Sequence, residues 1–238
     1  MENVARWTIG QTNKLGYECL GMSIESFLSL YDAKIVLCHN CPAENLSDIK
    51  SSFPVSLHDQ SQYLDDDIAP KGVSWKLYPP RLAPDQHEIQ IDNDIVFENR
   101  VEEIDKFFEG DCTLLLQGLS RNYGKFDKHV PTGFFINSGI FGMPPGFNLH
   151  KYINFLVRQQ WEENAKGKHA ASVTFDEQGL MAFALLNYPR YIIIPNTSVT
   201  NCETELVKGN ALHFVGLNRD EFHGPYRVFR SKLQKIYL

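Results

Sequence analysis

The first quarter of the chain alternates between two spacings of apolar residues. Short apolar runs predict strands, whereas apolar residues three or four positions apart predict helices. Residues 15–32 carry Leu20, Ile24, Phe27 and Leu28 at helical spacing. The order predicted from these patterns is strand, helix, strand, helix, strand over residues 5–11, 15–32, 33–39, 43–53 and 54–59. This alternation is typical of a parallel sheet covered by helices.

The rest of the chain repeats these signals less regularly. Residues 59–86 are irregular, and Pro79–Pro80 must end or kink any helix there. Strands are predicted over 87–93, 111–117, 132–143 and 190–195, and helices over 99–110, 147–167 and 176–187. The stretch from residue 210 onward mixes loop and short helix. The predicted fold class is α/β: one domain over 1–238 with a mixed, mostly parallel sheet flanked by helices.

Composition and charge narrow the class of protein. The chain has 238 residues, of which 43% are apolar and 22% charged, as in ordinary soluble globular proteins. Its net charge of −6 provides no long-range attraction to nucleic acid, so we expect no nucleic-acid partner. The hydropathy pattern leads us to expect neither a transmembrane segment nor a signal peptide. Five cysteines at scattered spacing favour a reducing cytoplasm, with association at the inner membrane face left open.

Two aspartates stand one residue apart in "IQIDNDIVF", residues 89–97. Residues two apart in an extended chain point the same way, so Asp92 and Asp94 can face one point while Asn93 turns aside. Unpaired carboxylates so placed repel each other, whereas a divalent cation binds both. The segment ends a predicted strand, where α/β sheets bind ligands. A metal site and a plain capped turn are both consistent with this pattern.

Other protein classes also use aspartates at this spacing. A calcium EF-hand needs further oxygen ligands and a glycine at its sixth position, whereas this chain becomes apolar at once. A phosphatase of the haloacid dehalogenase type has Asp-x-Asp followed by threonine or valine, and Val96 fits that spacing. That motif usually closes the first strand of its fold, and here several predicted strands precede it. The mid-chain position therefore disfavours the phosphatase.

Four further segments accompany the aspartates in chain order: "YPPRLAP", "FFINSGIFGM", "FDEQGLMAFAL" and "ALHFVGLN". Together with the mid-chain Asp-x-Asp they resemble GT-A glycosyltransferases, and the late histidine segment is similar to that of glycosyltransferase family 8. The Lys-Pro-Trp that usually follows the histidine segment is absent, and "HGPYRVF" stands nearby. The resemblance implies a GT-A-like, Rossmann-like fold with a nucleotide-binding half over 1–97 and a sugar and acceptor half over 98–238.

The resemblance also implies an activity and a site. It implies a metal-dependent transferase that moves a hexose from a nucleotide-diphosphate sugar, with a UDP-sugar favoured, to a carbohydrate or lipid-linked acceptor, with retention of configuration favoured. The implied cofactor is Mn²⁺ or Mg²⁺, held by Asp92, Asp94 and His213. The implied catalytic residues are Asp176 and Glu177. The implied nucleotide- and donor-binding residues are Gln11, Thr12, Asn40, Lys76, Arg81, Asp92, Asn93, Asn137, Ser138, Gly139 and Gln178.

Each candidate residue also has an ordinary structural alternative. His213 can be a hydrogen-bonded histidine between apolar neighbours, and Lys76 and Arg81 can be solvated surface charges. Cys38 and Cys41 have the spacing of a thioredoxin-like redox motif, which explains nothing in the second half of the chain. The alternative functions are a non-catalytic nucleotide- or sugar-binding protein of the same fold, and a nucleotidyltransferase or phosphatase that uses the Asp-x-Asp.

Overall fold

The computed structural model describes residues 2–60, 74–77, 81–156, 176–202, 208–215 and 224–229. Its strands are β1 (Val4–Ile9), β2 (Lys34–His39), β3 (Val55–Asp59), β4 (Glu88–Ile91), β5 (Ile95–Phe97), β6 (Thr113–Gln117), β7 (Ile136–Met143), β8 (Tyr191–Ile194), β9 (Val199–Asn201) and β10 (Ala211–His213). Its α-helices are α1 (Lys14–Leu28), α2 (Ser47–Ser52), α3 (Glu102–Glu109), α4 (149–156), α5 (Asp176–Leu186) and α6 (224–229). Short 3₁₀ helices span Ala43–Leu46, Ser74–Leu77 and Gly124–His129. None of the described helices is long and apolar enough to cross a membrane.

Seven strands form one mixed sheet in the order β3-β2-β1-β4-β7-β6-β8. Strands β3, β2, β1 and β4 pair in parallel. Strand β7 runs antiparallel to both β4 and β6, and β6 pairs in parallel with β8. A smaller sheet holds β5, β10 and β9. The predicted fold class, a mixed and mostly parallel sheet flanked by helices, is confirmed, while the division of the chain into two halves stays a prediction.

The two faces of β1 have different neighbours. Ala5, Trp7 and Ile9 belong to the apolar cluster that includes the buried face of α1. The Trp7 ring lies edge-on to Phe27 of α1, with the ring centres 5.6 Å apart. Its indole N–H donates to the Ser23 hydroxyl at 2.9 Å, so the buried polar group is satisfied. Helix α1 therefore covers this face, and the alternate residues of β1 point to the opposite face.

The structure differs from the predicted elements at two places that concern the site. The strand predicted over 87–93 ends at Ile91, so the two aspartates lie in a turn between β4 and β5. The prediction of loop and short helix from residue 210 onward was wrong for Ala211–His213, which form β10. This strand depends on pairing with β5 and β9, so no local pattern reveals it. The helix predicted over 147–167 is observed over 149–156, and its remainder lies outside the described residues.

Candidate active site

The two aspartates are positioned by the turn that joins β4 to β5. The Asp92 N–H donates to the Gly139 carbonyl at 2.8 Å, which continues the pairing of β4 with β7 by one step. The Ile95 N–H donates to the Asp92 carbonyl at 3.3 Å and closes the turn. The turn lies at the carboxyl end of the parallel strands, where α/β sheets bind their ligands. Both carboxylates are thus held beside the first residues of β7.

His213 reaches the same place from the distant end of the chain. Strand β10 pairs antiparallel with β5, which sets His213 opposite Ile95. The Phe214 N–H donates to the Asp94 carbonyl at 2.8 Å and extends this pairing to the turn. As a result, His213 Nε2 lies 3.3 Å from Asp94 Oδ1, with the imidazole almost fully buried. One ligand atom from each of Asp92, Asp94 and His213 lies within 4.8 Å of the others.

These donors fit a divalent cation. The Oδ1 atom of Asp94 is buried and lies 3.3 Å from His213 Nε2, yet it accepts no hydrogen bond from the described residues. Buried polar atoms are normally satisfied, so this oxygen is consistent with an interaction that the polypeptide alone does not supply. Two carboxylate oxygens and one imidazole nitrogen form a set that suits Mn²⁺, and oxygen ligands also suit Mg²⁺.

Lys76 supplies a positive charge at the edge of this cluster. Its Nζ atom lies 3.0 and 3.1 Å from the two carboxylate oxygens of Asp92. The same ammonium group donates to the Ser138 hydroxyl at 3.1 Å and to the Ser138 carbonyl at 3.3 Å. The Lys76 side chain is only 6% exposed, so it is not the solvated surface charge that the sequence also allowed. Lys76 thus joins the aspartate turn to the first residues of β7.

The charges in the cluster affect the protonation of Asp92. Burial raises the pKa of the Asp92 carboxyl above its usual value, because desolvation disfavours the charged form. Lys76 and His213 oppose this rise in the pKa of Asp92, whereas the neighbouring carboxylate of Asp94 adds to it. A cation bound between the two carboxylates would favour ionised Asp92, since opposite charges lower the pKa of an acid.

Gly139 allows the close approach of β7 to the cluster. A Cβ atom at this position would lie 2.7 Å from His213 Cε1 and 2.8 Å from Asn137 Oδ1. The same Asn137 oxygen accepts the Gly139 N–H at 2.7 Å. Gly139 therefore lies close against the His213 ring and is hydrogen-bonded to the Asn137 side chain. The "NSG" segment forms the wall of the site opposite the aspartate turn.

Gln178 connects this wall to the start of α5. Its side-chain oxygen accepts the Ser138 N–H at 3.2 Å, and its amide nitrogen donates to the Asn122 carbonyl at 2.7 Å. Glu177 is buried beside it, with 3% of its surface exposed. Asp176 begins α5, but its side chain lies outside the described part of the structure. The structure therefore brings Gln178 to the site wall through Ser138.

The remaining candidates on the nucleotide side follow neighbouring parallel strands. Gln11 and Thr12 follow β1, and Asn40 follows β2, with the Asn40 N–H donating to the Ile9 carbonyl at 3.4 Å. All three residues lie at the same edge of the sheet as the aspartate turn. The Asn93 side chain turns away from the cluster and donates to the backbone of α1 at 3.3 Å. Its role in donor binding stays a prediction.

The structure does not bring Arg81 to the cluster. Its guanidinium group donates to backbone carbonyls, among them Pro144 at 2.6 Å and Phe147 at 3.0 Å. These acceptors follow the end of β7 that lies beside Glu88, at the amino end of β4. Arg81 thus lies at the opposite edge of the sheet from Asp92. The sequence could not reveal this, because Arg81 and Lys76 stand close together in the chain and reach opposite ends of β4.

Three buried polar residues next to Lys76 were not singled out from the sequence. Arg6 and Glu88 form an ion pair with N–O separation 2.9 Å, and Gln90 accepts from the same guanidinium at 2.7 Å. A usable signal was present: Glu88, Gln90 and Asp92 alternate with isoleucines along β4. Such alternation usually marks a solvated face, yet Glu88 and Gln90 are both fully buried.

The mixed seven-stranded sheet and its helices have the GT-A fold, as comparison with solved structures shows. No protein-family profile and no curated protein matches the sequence. The likeness appears in solved structures. The apo form of mouse xyloside xylosyltransferase 1 aligns with a TM-score of 0.61 at 12% identity, covering 92% of this chain and 99% of that one.

Two structures of LgtC align similarly. An active-site mutant of LgtC gives a TM-score of 0.63 at 12% identity and covers 98% of this chain and 95% of its own. The galactosyltransferase LgtC in complex with donor and acceptor sugar analogs gives a TM-score of 0.63 at 10% identity, with 96% and 94% covered. At this level of identity the likeness is one of fold. The expected resemblance in fold to GT-A glycosyltransferases of family 8 is thereby confirmed.

Proposed function

We propose that the protein is a metal-dependent glycosyltransferase that moves a sugar from a nucleotide-diphosphate sugar, with a UDP-sugar favoured, to a carbohydrate or lipid-linked acceptor. The observation that carries the proposal is the convergence of Asp92, Asp94 and His213 at the carboxyl edge of a GT-A-like sheet. Their donor atoms come from two distant parts of the chain. The likeness to glycosyltransferase structures supports the same proposal.

Asp92, Asp94 and His213 would hold Mn²⁺ or Mg²⁺. When bound, the cation neutralises negative charge that develops on the diphosphate as the glycosidic bond breaks. Lys76 adds a positive charge beside the cation site, since its Nζ lies 3.0 Å from Asp92 Oδ1. The N–H groups of the Lys76 ammonium already face Asp92 and the two oxygens of Ser138, so Lys76 would act on the sugar nucleotide through its charge. An ammonium group already fixed by Ser138 stabilises developing charge with little reorganisation.

The wall formed by "NSG" and α5 would bind the donor sugar. Asn137 and Ser138 present polar atoms beside the cluster, and Gln178 fixes the backbone of Ser138. Retention of configuration, which the family 8 likeness favours, lets the departing phosphate take the acceptor's proton. In that case Asp176 and Glu177 bind sugar hydroxyls and neither is required as a base. The configuration of the product, read by NMR, tests this assignment.

Thermal denaturation with nucleoside diphosphates tests donor binding. A ligand that binds only the folded state at about 100 times its Kd stabilises it by about 2.7 kcal/mol. For a chain of this size each kcal/mol shifts Tm by about 2–4 °C. We expect UDP with Mn²⁺ to raise Tm by roughly 5–11 °C. No shift with any nucleoside diphosphate, with or without Mn²⁺, would contradict the donor assignment.

Asp94→Asn and Asp111→Asn form a matched pair of variants. Asn is nearly isosteric with Asp but is a poorer ligand for a hard cation. Asp94 lies in the cluster, whereas Asp111 is an exposed residue paired with Arg190. We expect the Mn²⁺-dependent part of the shift to disappear in Asp94→Asn and to persist in Asp111→Asn. Release of UDP from UDP-sugars, with and without added sugar acceptors, then separates an enzyme from a non-catalytic binder.

A further inference from the structure

A fully buried polar network lies directly beneath Lys76. Arg6, on β1, is 0% exposed and forms an ion pair with Glu88 at 2.9 Å. Its Nε atom donates to Gln90 Oε1 at 2.7 Å. Its remaining terminal nitrogen donates to the backbone carbonyl of Lys76 at 2.6 Å. One guanidinium group thus connects two residues of β4 to the segment that carries Lys76.

The network and the metal cluster share one face of β4. Residues 88, 90 and 92 alternate along the strand and into the turn, so their side chains point the same way. Ile89 and Ile91 point to the opposite face and belong to the apolar cluster under α1. Arg6 lies opposite Gln90 in the pairing of β1 with β4. Asp92 is therefore the next residue on this face after Gln90, and it is also the residue that receives the Lys76 ammonium group.

The same network holds the chain that follows Lys76. The second carboxylate oxygen of Glu88 accepts the N–H groups of Leu82 and Ala83, each at 2.8 Å. Leu77, next to Lys76, is 1% exposed and belongs to an apolar cluster that includes Phe141 and Met143 of β7. Arg6 and Leu77 therefore fix the backbone at Lys76, and Glu88 fixes it again after the proline pair. Lys76 is attached to the sheet at both its backbone and its ammonium group.

Stability alone does not account for a buried ion pair here. Desolvation of two buried charges largely offsets their attraction, and apolar residues of similar volume are often as stabilising. A guanidinium group offers something else, because its planar fork donates in several fixed directions at once. Among the described residues, Arg6 donates in three such directions, toward Glu88, Gln90 and the Lys76 carbonyl. A lysine at this position can retain the charge but cannot reproduce the fork.

We propose that Arg6 is a positioning residue that, with Glu88 and Gln90, fixes Lys76 against Asp92 and Ser138. Arg6 acts on the site through the Lys76 carbonyl, since its described hydrogen bonds go to Glu88, Gln90 and that carbonyl. The consequence for turnover rests on the proposed glycosyltransferase function. The placement of Lys76 by Arg6 does not depend on that function, so the placement and the effect on turnover can be tested separately.

Chemical labelling of Lys76 tests its placement without any activity. Arg6→Lys keeps the positive charge opposite Glu88 and removes the fork. We expect acetic anhydride, followed by mass spectrometry, to acetylate Lys76 about tenfold faster in Arg6→Lys than in the wild type, because the segment opens more often. Ser23→Ala is the control, since it removes the buried bond to Trp7 on the other face of β1. It should leave the Lys76 rate unchanged, and an equal rate in Arg6→Lys and wild type would overturn the proposal.

A double-mutant cycle tests the link to turnover. If Arg6 acts through Lys76, Arg6→Lys lowers kcat about tenfold in the wild-type background, with a smaller change in the donor KM, and has no further effect in Lys76→Met. Equal reductions in both backgrounds would show a general structural role and overturn the proposal. If Arg6→Lys does not fold, Gln90→Met replaces it in the cycle. This variant keeps the ion pair of Arg6 with Glu88 and should also lower kcat. Absence of all transfer in the wild type would contradict the proposed function, and the labelling result would still decide the placement of Lys76.

Discussion

Replacing Gly139 by alanine directly tests the close packing at the metal cluster. The new Cβ would lie 2.7 Å from His213 Cε1, 2.8 Å from Asn137 Oδ1 and 3.2 Å from Ile95 Cδ1. Non-bonded carbons rest about 3.5–4.0 Å apart, so the His213 ring must move by about 1 Å or β7 must shift. Gly139 is not among the described glycines with positive φ, so the effect comes from contact and not from backbone strain.

The backbone around His213 resists that movement. The Phe214 N–H donates to the Asp94 carbonyl and the Cys202 N–H donates to the His213 carbonyl, each at 2.8 Å. We therefore expect the imidazole to rotate away from Asp94. Overpacking of this kind destabilises a protein by about 1–3 kcal/mol. For a chain of this size that lowers Tm by roughly 2–12 °C.

The displaced imidazole should also weaken metal binding. Disturbing the arrangement around a ligand histidine typically lowers metal affinity by about 10–100-fold. Thermal denaturation of Gly139→Ala, with and without Mn²⁺, measures both effects. Gly224→Ala is the control, because a Cβ there meets none of the described atoms within 4 Å. If Gly139→Ala keeps the wild-type Tm, the packing argument is wrong. If Tm falls and the response to Mn²⁺ stays that of the wild type, the ligand role of His213 is wrong.

Three further outcomes follow from the structure. Arg81→Gln should lower the free energy of unfolding by about 3 kcal/mol, because it leaves several backbone carbonyls without their charged donor. Urea unfolding measures this loss, and the binding of UDP with Mn²⁺ should be unchanged. Loss of UDP binding in a folded variant would instead place Arg81 in the site. Asn13→Ala should lower the free energy of unfolding by about 1 kcal/mol, since the Asn13 side chain accepts the Gly16 N–H at the start of α1. An unchanged midpoint of urea unfolding would contradict this capping role. Burial raises the pKa of the Cys38 thiol to about 11, so only about one thiol in a thousand is ionised at pH 8. Iodoacetamide should therefore label Cys38 in the native protein far more slowly than in urea, with a rate that rises with pH, and equal rates in both states would contradict its burial.

The order of the elements was largely predictable because it depends on local spacing. The period of apolar residues located α1, β2 and β3 to within a few residues of their observed bounds. The Asp-x-Asp at a strand end and the ordered downstream segments led to His213 and to the GT-A-like fold. These signals are short-range, and each can be seen within about ten neighbouring residues.

Other features depend on contacts between distant parts of the chain. Strand β10 forms only because β5 and β9 pair with it, and that pairing places His213 beside Asp94. The sequence could not show which of Lys76 and Arg81 lies at the metal cluster, because either side chain can be solvated in a proline-rich segment. The fold decides between them: Lys76 meets Asp92 at one end of β4, and Arg81 meets backbone carbonyls at the other.

The alternating polar residues of β4 show the same division. The alternation in the sequence places Glu88, Gln90 and Asp92 on one side of the chain, because side chains alternate along any extended segment. Only the tertiary structure determined that this face is buried, since Arg6 on β1 and the Lys76 segment both pack against it. Because an unpaired charge in a buried environment raises the free energy of the folded state, these polar residues must form hydrogen bonds and ion pairs with one another.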